Sequence, residues 1–175
     1  AIYLGYLFYG IVLVELFKTY AEFIKNNQGF FKEDNTLLVE FSRGGEKAYE
    51  QALNYLDNKI LEKAGILFVD VSHREALRRN DLRYDPNESN SILSHKVPDE
   101  EMNTTYKTHD WKKLTALETG YVTAKGIAIP YATFENEDNK TGDKLTEGNP
   151  KVIRDHLKEI LDRAYYSYAY NSRYP

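Results

Sequence analysis

The 175-residue chain carries 23 Lys and Arg against 27 Asp and Glu, a formal net charge of −4, and its length suits one domain with a sizeable core. General nucleic-acid binding relies on a basic field, so no nucleic-acid partner is expected and any phosphate site must be a local basic cluster. The chain has no Cys, which excludes a disulfide framework, a thiolate metal site and a Cys nucleophile; the expected setting is reducing and cytoplasmic.

The run AIYLGYLFYGIVLV, from Ala1 to Val14, is apolar until Glu15 interrupts it. It is shorter than the roughly 20 residues of a membrane span and lacks the basic leader of a signal peptide. No stable membrane insertion is expected. Nor does the segment carry the Lys/Arg-rich polar face of a helix lying on a membrane surface. From about Tyr6 to Asn27, apolar residues recur near period 3.6 (Leu7, Ile11, Val14, Ala21, Ile24), which predicts a core-facing helix stopped by Asn26, Asn27 and Gly29. The chain opens without Met inside an apolar segment, and an upstream part is expected to have been removed.

In Thr36 to Phe41, TLLVEF, the continuous Leu37-Leu38-Val39 predicts a strand covered on both faces. Ser42 to Gly45 breaks it, and Glu46 to Lys63 returns to helix with Tyr49, Ala52, Leu53, Leu56, Ile60 and Leu61 on its apolar side. Gly65 serves as a C-cap, and Ile66 to Val71 follows as a short buried strand. Strand, helix and strand with such short links predict a βαβ unit with parallel strands.

Ser72-His73-Arg74-Glu75 has the form of a capping box. The helix it opens carries Arg74 and Arg78 one turn apart, then Arg79 and Arg83, with Glu75 placed to pair with Arg79. Asp85-Pro86 ends it, and Asn87 to Asn90 reads as a mobile polar stretch. Val97 to about Tyr106 holds a short helix, and Thr108 to Thr119 has no clear pattern. Tyr121 to Thr123 and Ile127 to Phe134 read as extended segments with Lys125-Gly126 as the turn between them. Glu135 to Gly148 is a polar surface loop. Asn149-Pro150 then starts a last helix, with Val152, Ile153, His156, Leu157, Ile160, Leu161 and Ala164 on its apolar side. The tail YYSYAYNSRYP has no period and is a candidate homo-oligomer contact, because Tyr is favoured at interfaces. With no internal repeat, residues 1–175 read as a single α/β domain, and residues 72–106 as a lid-like insertion within it.

Ligands of open parallel sheets bind beyond the carboxyl ends of the strands. Three such ends carry unusual residues here: Glu40 to Gly45, Asp70 to Ser72 with the Arg helix, and Phe134 to Asp138. Parallel strands would bring them to one rim. Glu40 could orient a hydrated Mg²⁺ or accept a proton from an attacking hydroxyl. Arg43 could clamp a phosphate, with Gly44-Gly45 leaving room for a ligand to approach the backbone. Alternatively, Glu40 and Arg43 pair and hold the turn. Arg78, Arg79 and Arg83 could cover transferring phosphates, with Lys96 and His95 adding to them, or form a solvated face partnered by Glu75 and Asp81. Asp70 either holds a loop or meets the ligand. The four His residues show no metal-ligand spacing, and neither a G-x-S-x-G elbow nor a G-x-x-x-x-G-K-[ST] loop is present.

With TLLVEFSRGG, GILFVDVSHREALRRNDLR and IAIPYATFENE in view, the chain resembles, from roughly Thr36 to Ala164, the P-loop kinase group of nucleoside, nucleotide and small-metabolite kinases. The resemblance implies a Rossmann-like three-layer α/β/α fold with a mostly parallel sheet, an Arg-rich helical lid, and Mg²⁺ with ATP. It also implies a phosphotransferase acting on a small-molecule phosphate acceptor. By position, Glu40 would be the acid near the metal or acceptor and Arg43 an acceptor clamp. Arg78, Arg79 and Arg83 would be the lid arginines, and Asn136 would lie near the nucleotide base, with Arg79 also on the nucleotide. The phosphate-cradling loop and its Lys would belong to a strand and helix upstream of Ala1. Without them, the alternative expectation is a non-catalytic nucleotide- or phosphate-binding or assembly module on the same fold.

Overall fold

The computed structural model describes residues 2–27, 29, 37–85, 87, 96–138, 154, 155, 158 and 162, with side chains of the first helix described from Val14 onward. Helix α1 spans Ile2–Asn26. It sinks Phe17 and Ile24, two turns apart, into the core, as the 3.6-residue period requires. Lys25 in its last turn complements the helix dipole. Among the described residues no helix is long and apolar enough to cross a membrane.

Residues 37–44 follow a different course from the expected strand. They adopt neither helix nor strand. Leu37, Val39 and Phe41 turn toward the core, while Leu38 and Glu40 are exposed. The ring of Phe41 meets Phe17 edge-on with centroids 5.5 Å apart. The segment is thus half-covered and alternating rather than covered on both faces, and among the described residues it joins no ladder. Thr36 itself lies outside them. The expected βαβ unit starting at Thr36 is therefore not formed.

The single helix expected over Glu46 to Lys63 is two helices, α2 Ala48–Tyr55 and α3 Asn58–Leu61. Leu56 turns extended at ψ 141°, and Asp57 starts α3 by accepting a hydrogen bond from the Lys59 N–H, as an N-cap Asp does. Strand β1 is Ile66–Asp70, followed by α4 His73–Arg83, α5 Asp99–Thr104 and α6 Trp111–Leu114. A hairpin of β2 Thr119–Ala124 and β3 Ile127–Glu135 closes the sheet. Its turn, Lys125-Gly126, has φ of 51° and 78°, the two positive values a tight two-residue hairpin needs.

The fold is mixed α/β, and among the described residues the sheet has three strands in the order β1-β3-β2. β1 runs parallel to β3, from Ile66 opposite Tyr131 to Asp70 opposite Glu135, while β2 is antiparallel to β3. One sheet face carries Ile66, Phe68, Val122, Ala124, Ile127, Ile129 and Tyr131 into the core formed with α1, α2 and α3. On the other face Ala132 and Phe134 are buried, but Leu67 and Val69 of β1 are 41 % and 48 % exposed. Arg154, Asp155, Lys158 and Asp162 are helical within the expected last helix; the rest of that helix and the Tyr-rich tail lie outside the described residues.

Candidate functional site

Where β1 and β3 end together, three polar contacts build a rim. The N–H of Asn136 donates to the Asp70 carbonyl at 2.9 Å and extends the parallel ladder by one bond. Ser72 caps α4, its Oγ accepting from the Glu75 N–H at 3.2 Å. The reciprocal half of the expected capping box is absent, because Glu137 takes the place of Glu75. Its carboxylate accepts from both the N–H and the Oγ of Ser72, each at 2.7 Å. Those two bonds, the backbone one first, lower the pKa of Glu137, as hydrogen bonds to a charged form do.

Glu75 is occupied elsewhere. Its carboxylate receives Nε and Nη2 of Arg78 in a two-pronged bond, both at 2.7 Å, and Nε of Arg79 at 2.6 Å. The expected Glu75–Arg79 pair is therefore present, with Arg78 added to it. The two guanidiniums hold the carboxyl down at about 2, Arg78 contributing first. Arg79 reaches beyond its own helix, donating through Nη2 to the carbonyls of Asn136 and, at 3.4 Å, Glu137. With the Ser72–Glu137 bonds, it fastens α4 to the end of β3. Asn136 beneath it is 2 % exposed, whereas Arg83 is exposed in the last turn of α4.

The other candidates sit differently. Glu40 is exposed and Arg43 half-buried, both in the irregular 37–44 stretch. They form no ion pair with each other among the described residues, so the alternative in which they hold the turn as a pair has no support. Nη1 of Arg43 is shut off from water and has no hydrogen-bond partner among the described residues. A buried guanidinium nitrogen left in this way is costly unless a hydrogen-bond acceptor meets it. The room expected beside Gly44 is already filled: a Cβ there would stand 1.9 Å from the Thr105 carbonyl oxygen. Gly45, at φ 113°, donates to the Thr108 carbonyl at 2.7 Å. The double glycine thus admits the chain's own backbone. Two of the three anticipated strand ends meet at the rim; the Glu40–Gly45 stretch is not a strand and is pinned to residues 105–108 instead.

Asp70 forms an ion pair with Lys112 at 3.0 Å. Lys96 does not join the arginines, because it bridges Asp81 at 2.8 Å and Asp99 at 2.9 Å, and these two carboxylates, Asp81 first, raise its pKa. His95 lies outside the described residues. His73 donates from Nε2 to the Met102 carbonyl at 2.9 Å and ties α4 to α5.

Asp110, Asn80 and Glu137 hold this architecture; the sequence assigned Asp110 and Asn80 no role and placed Glu137 only within the Phe134 to Asp138 strand end, not as a cap for Ser72. Buried Asp110 accepts from the N–H groups of Tyr49 and Glu50 at 2.8 and 3.0 Å, capping α2 from sixty residues away in sequence. Burial is the first cause of the raised pKa of Tyr49, opposed by bonds from the Arg43 backbone and Ser42. Asn80 clasps Val97 with two bonds, at 2.8 and 2.9 Å. The only usable signal was the single Trp of the chain beside Asp110 in an otherwise polar stretch.

Among the described residues no group of three or more His, Asp or Glu could hold a metal ion. Mg²⁺ carried by a nucleotide needs only one or two protein carboxylates, a part Glu40 could fill. The orphaned Arg43 nitrogen is of a type that suits an anionic oxygen, but it lies in the 37–44 stretch rather than in the hydrogen bonds of the rim, where Arg78 and Arg79 are engaged by Glu75 and main-chain carbonyls. No family model, curated protein or solved structure matches the chain.

Proposed function

We propose that the chain is a phosphate- and nucleotide-binding α/β domain of the P-loop-kinase-like kind, acting in phosphoryl transfer from Mg-ATP to a small acceptor. The observation that carries this reading is the rim. Arg78 and Arg79 are gathered at the carboxyl end of a parallel strand pair, where α/β sheets take their ligands, and Arg79 touches the Asn136 carbonyl. When bound, Mg-ATP supplies the transferable phosphoryl group and the cation that offsets its charge. The chain's own residues position and neutralise. Arg43 offers its unpartnered nitrogen to an anionic oxygen, Arg78 and Arg79 cover the phosphates, Arg83 lends a more distant charge, and Glu40 orients a hydrated metal or accepts the acceptor's proton. The lid is the α4–α5 region, within residues 72–106. Burial of Ala132 and Phe134 on the second face of the sheet supports a three-layer arrangement, whose second layer would also have to cover the exposed Leu67 and Val69.

A calorimetric titration with ATP, with and without Mg²⁺, tests the reading. Saturable binding that strengthens with Mg²⁺ and weakens about tenfold or more in Arg79→Ala is expected, given the worth of charge-assisted bonds. Binding that Arg79→Ala leaves unchanged would remove the rim from the site. Absence of binding would favour the second reading, a non-catalytic assembly module. That reading is supported by the bonds of Arg79 to main-chain carbonyls, which make it a clasp in its own right.

A further inference from the structure

The arginines at the rim are not presented bare. The side of a guanidinium that gives two parallel N–H bonds, Nε with Nη2, is the edge that matches a carboxylate or phosphate. Arg78 spends that edge on Glu75. Arg79 spends Nε on Glu75 and Nη2 on the Asn136 and Glu137 carbonyls. One carboxylate, 12 % exposed, serves two guanidiniums whose side chains are 21 % and 47 % exposed.

We infer that Glu75 is a built-in competitor for the ligand: its carboxylate stands in for phosphate oxygens, keeps Arg78 and Arg79 in register, and must be displaced before an anion can take both. The inference rests on the reading of the rim as a phosphate site and adds a residue that regulates it. Displacement is accessible because Glu75 has a second seat. It lies three residues after the N-cap Ser72, the spacing from which a Glu reaches back to the cap N–H. That N–H is held here by Glu137. A Glu75 that leaves the arginines can compete for Ser72 and loosen Glu137, linking anion arrival to the chain just after β3. Either seat keeps a negative charge in the first turn of α4, where the helix dipole favours it.

The test is a calorimetric titration with inorganic tripolyphosphate of the wild type, Glu75→Gln and the control Asp81→Asn. Asp81 lies on the same helix but pairs with Lys96, so it reports the general field of a lost carboxylate. Glu75→Gln is expected to bind about three- to fivefold more tightly than the wild type, the upper scale of partly exposed ion pairs, and Asp81→Asn within about twofold. An unchanged or weaker Glu75→Gln would show that Glu75 orients the arginines rather than competing with the ligand. An equal gain in Asp81→Asn would reduce the effect to net charge. Either result overturns the inference while leaving the phosphate site standing; no binding by any of the three would remove both. A second readout needs no variant. The side-chain carboxyl carbon resonance of Glu75 in the wild type should move as tripolyphosphate is added, and a resonance that stays fixed at saturation would overturn the displacement.

Discussion

Two joints fasten helices to the same small sheet, and they use opposite chemistry. At the core face, Trp111 of α6 stacks on Phe68 of β1 with centroids 4.7 Å apart and planes 15° from parallel. It meets Tyr49 and Tyr131 edge-on and donates from its indole N–H to Thr133 Oγ1 at 3.0 Å. Its polar atom is satisfied and its rings are buried, so this joint draws on apolar burial and aromatic contact. At the rim, α4 is held by Ser72, Glu75, Arg79 and Glu137, all through hydrogen bonds and charge. Such contacts weaken with salt and acid and can be exchanged for those of a ligand. A domain that combines them has one joint suited to permanence and one suited to rearrangement.

The comparison breaks most visibly at Trp111. Trp111→Ala removes the largest of the fully buried side chains and should cost about 3–5 kcal/mol, read as a lower denaturant midpoint that moderate salt does not change. A loss below about 1 kcal/mol would mean that the aromatic joint is not what holds the sheet. Gly44→Ala comes next. The Thr105 carbonyl has no room for a methyl group, so the expected loss is about 1–3 kcal/mol of stability with ATP binding retained in the protein that folds. Loss of binding without loss of stability would restore the ligand space once expected there.

The smallest effect concerns the rim alone. Glu75 titrates near 2 instead of its ordinary 4.5, and Glu137 is also lowered. A carboxyl depressed in the folded state contributes stability that is fully present above its unfolded value and is lost as pH falls through its folded one. Stability should therefore decline as pH drops from about 4.5 toward 2 on account of Glu75, and Glu75→Gln should flatten the decline. The unfolding midpoint as a function of pH gives the answer, and equal slopes in the two proteins would separate the rim from acid stability.

What was legible in the sequence was local. β1, α4 with its Ser72 cap, the Lys125-Gly126 hairpin and α5 follow from short-range pattern and turn chemistry, and the structure has all four, although β1, expected to be buried, exposes Leu67 and Val69 on one face. The Glu75–Arg79 pair follows from helical spacing alone. What failed depended on distant partners. Leu37-Leu38-Val39 is apolar enough for a central strand, but a strand needs a neighbour, and no local pattern supplies one. Gly44-Gly45 read as space for a ligand because the sequence does not say which backbone approaches it; Thr105 does. Asp57 was visible as a polar residue inside a helical stretch, yet the apolar residues on both sides kept the period nearly intact. Of the candidate site residues, Arg78, Arg79 and Asn136 are brought to one rim, and Glu40, Arg43 and Arg83 are placed apart from its hydrogen bonds. The long-range clasps by Asp110, Glu137 and Asn80 were beyond any reading of spacing, since each joins residues that only the fold brings together.

The measurement that bears most directly on the central claim is an amide and arginine side-chain NMR titration with Mg-ATP. The account predicts the largest shifts at Ser72, Asn136, Glu137 and the Nε–H of Arg78 and Arg79, saturating together, with the Trp111 indole N–H nearly still. Shifts confined to other parts of the molecule, with those rim signals unmoved at saturation, would contradict it.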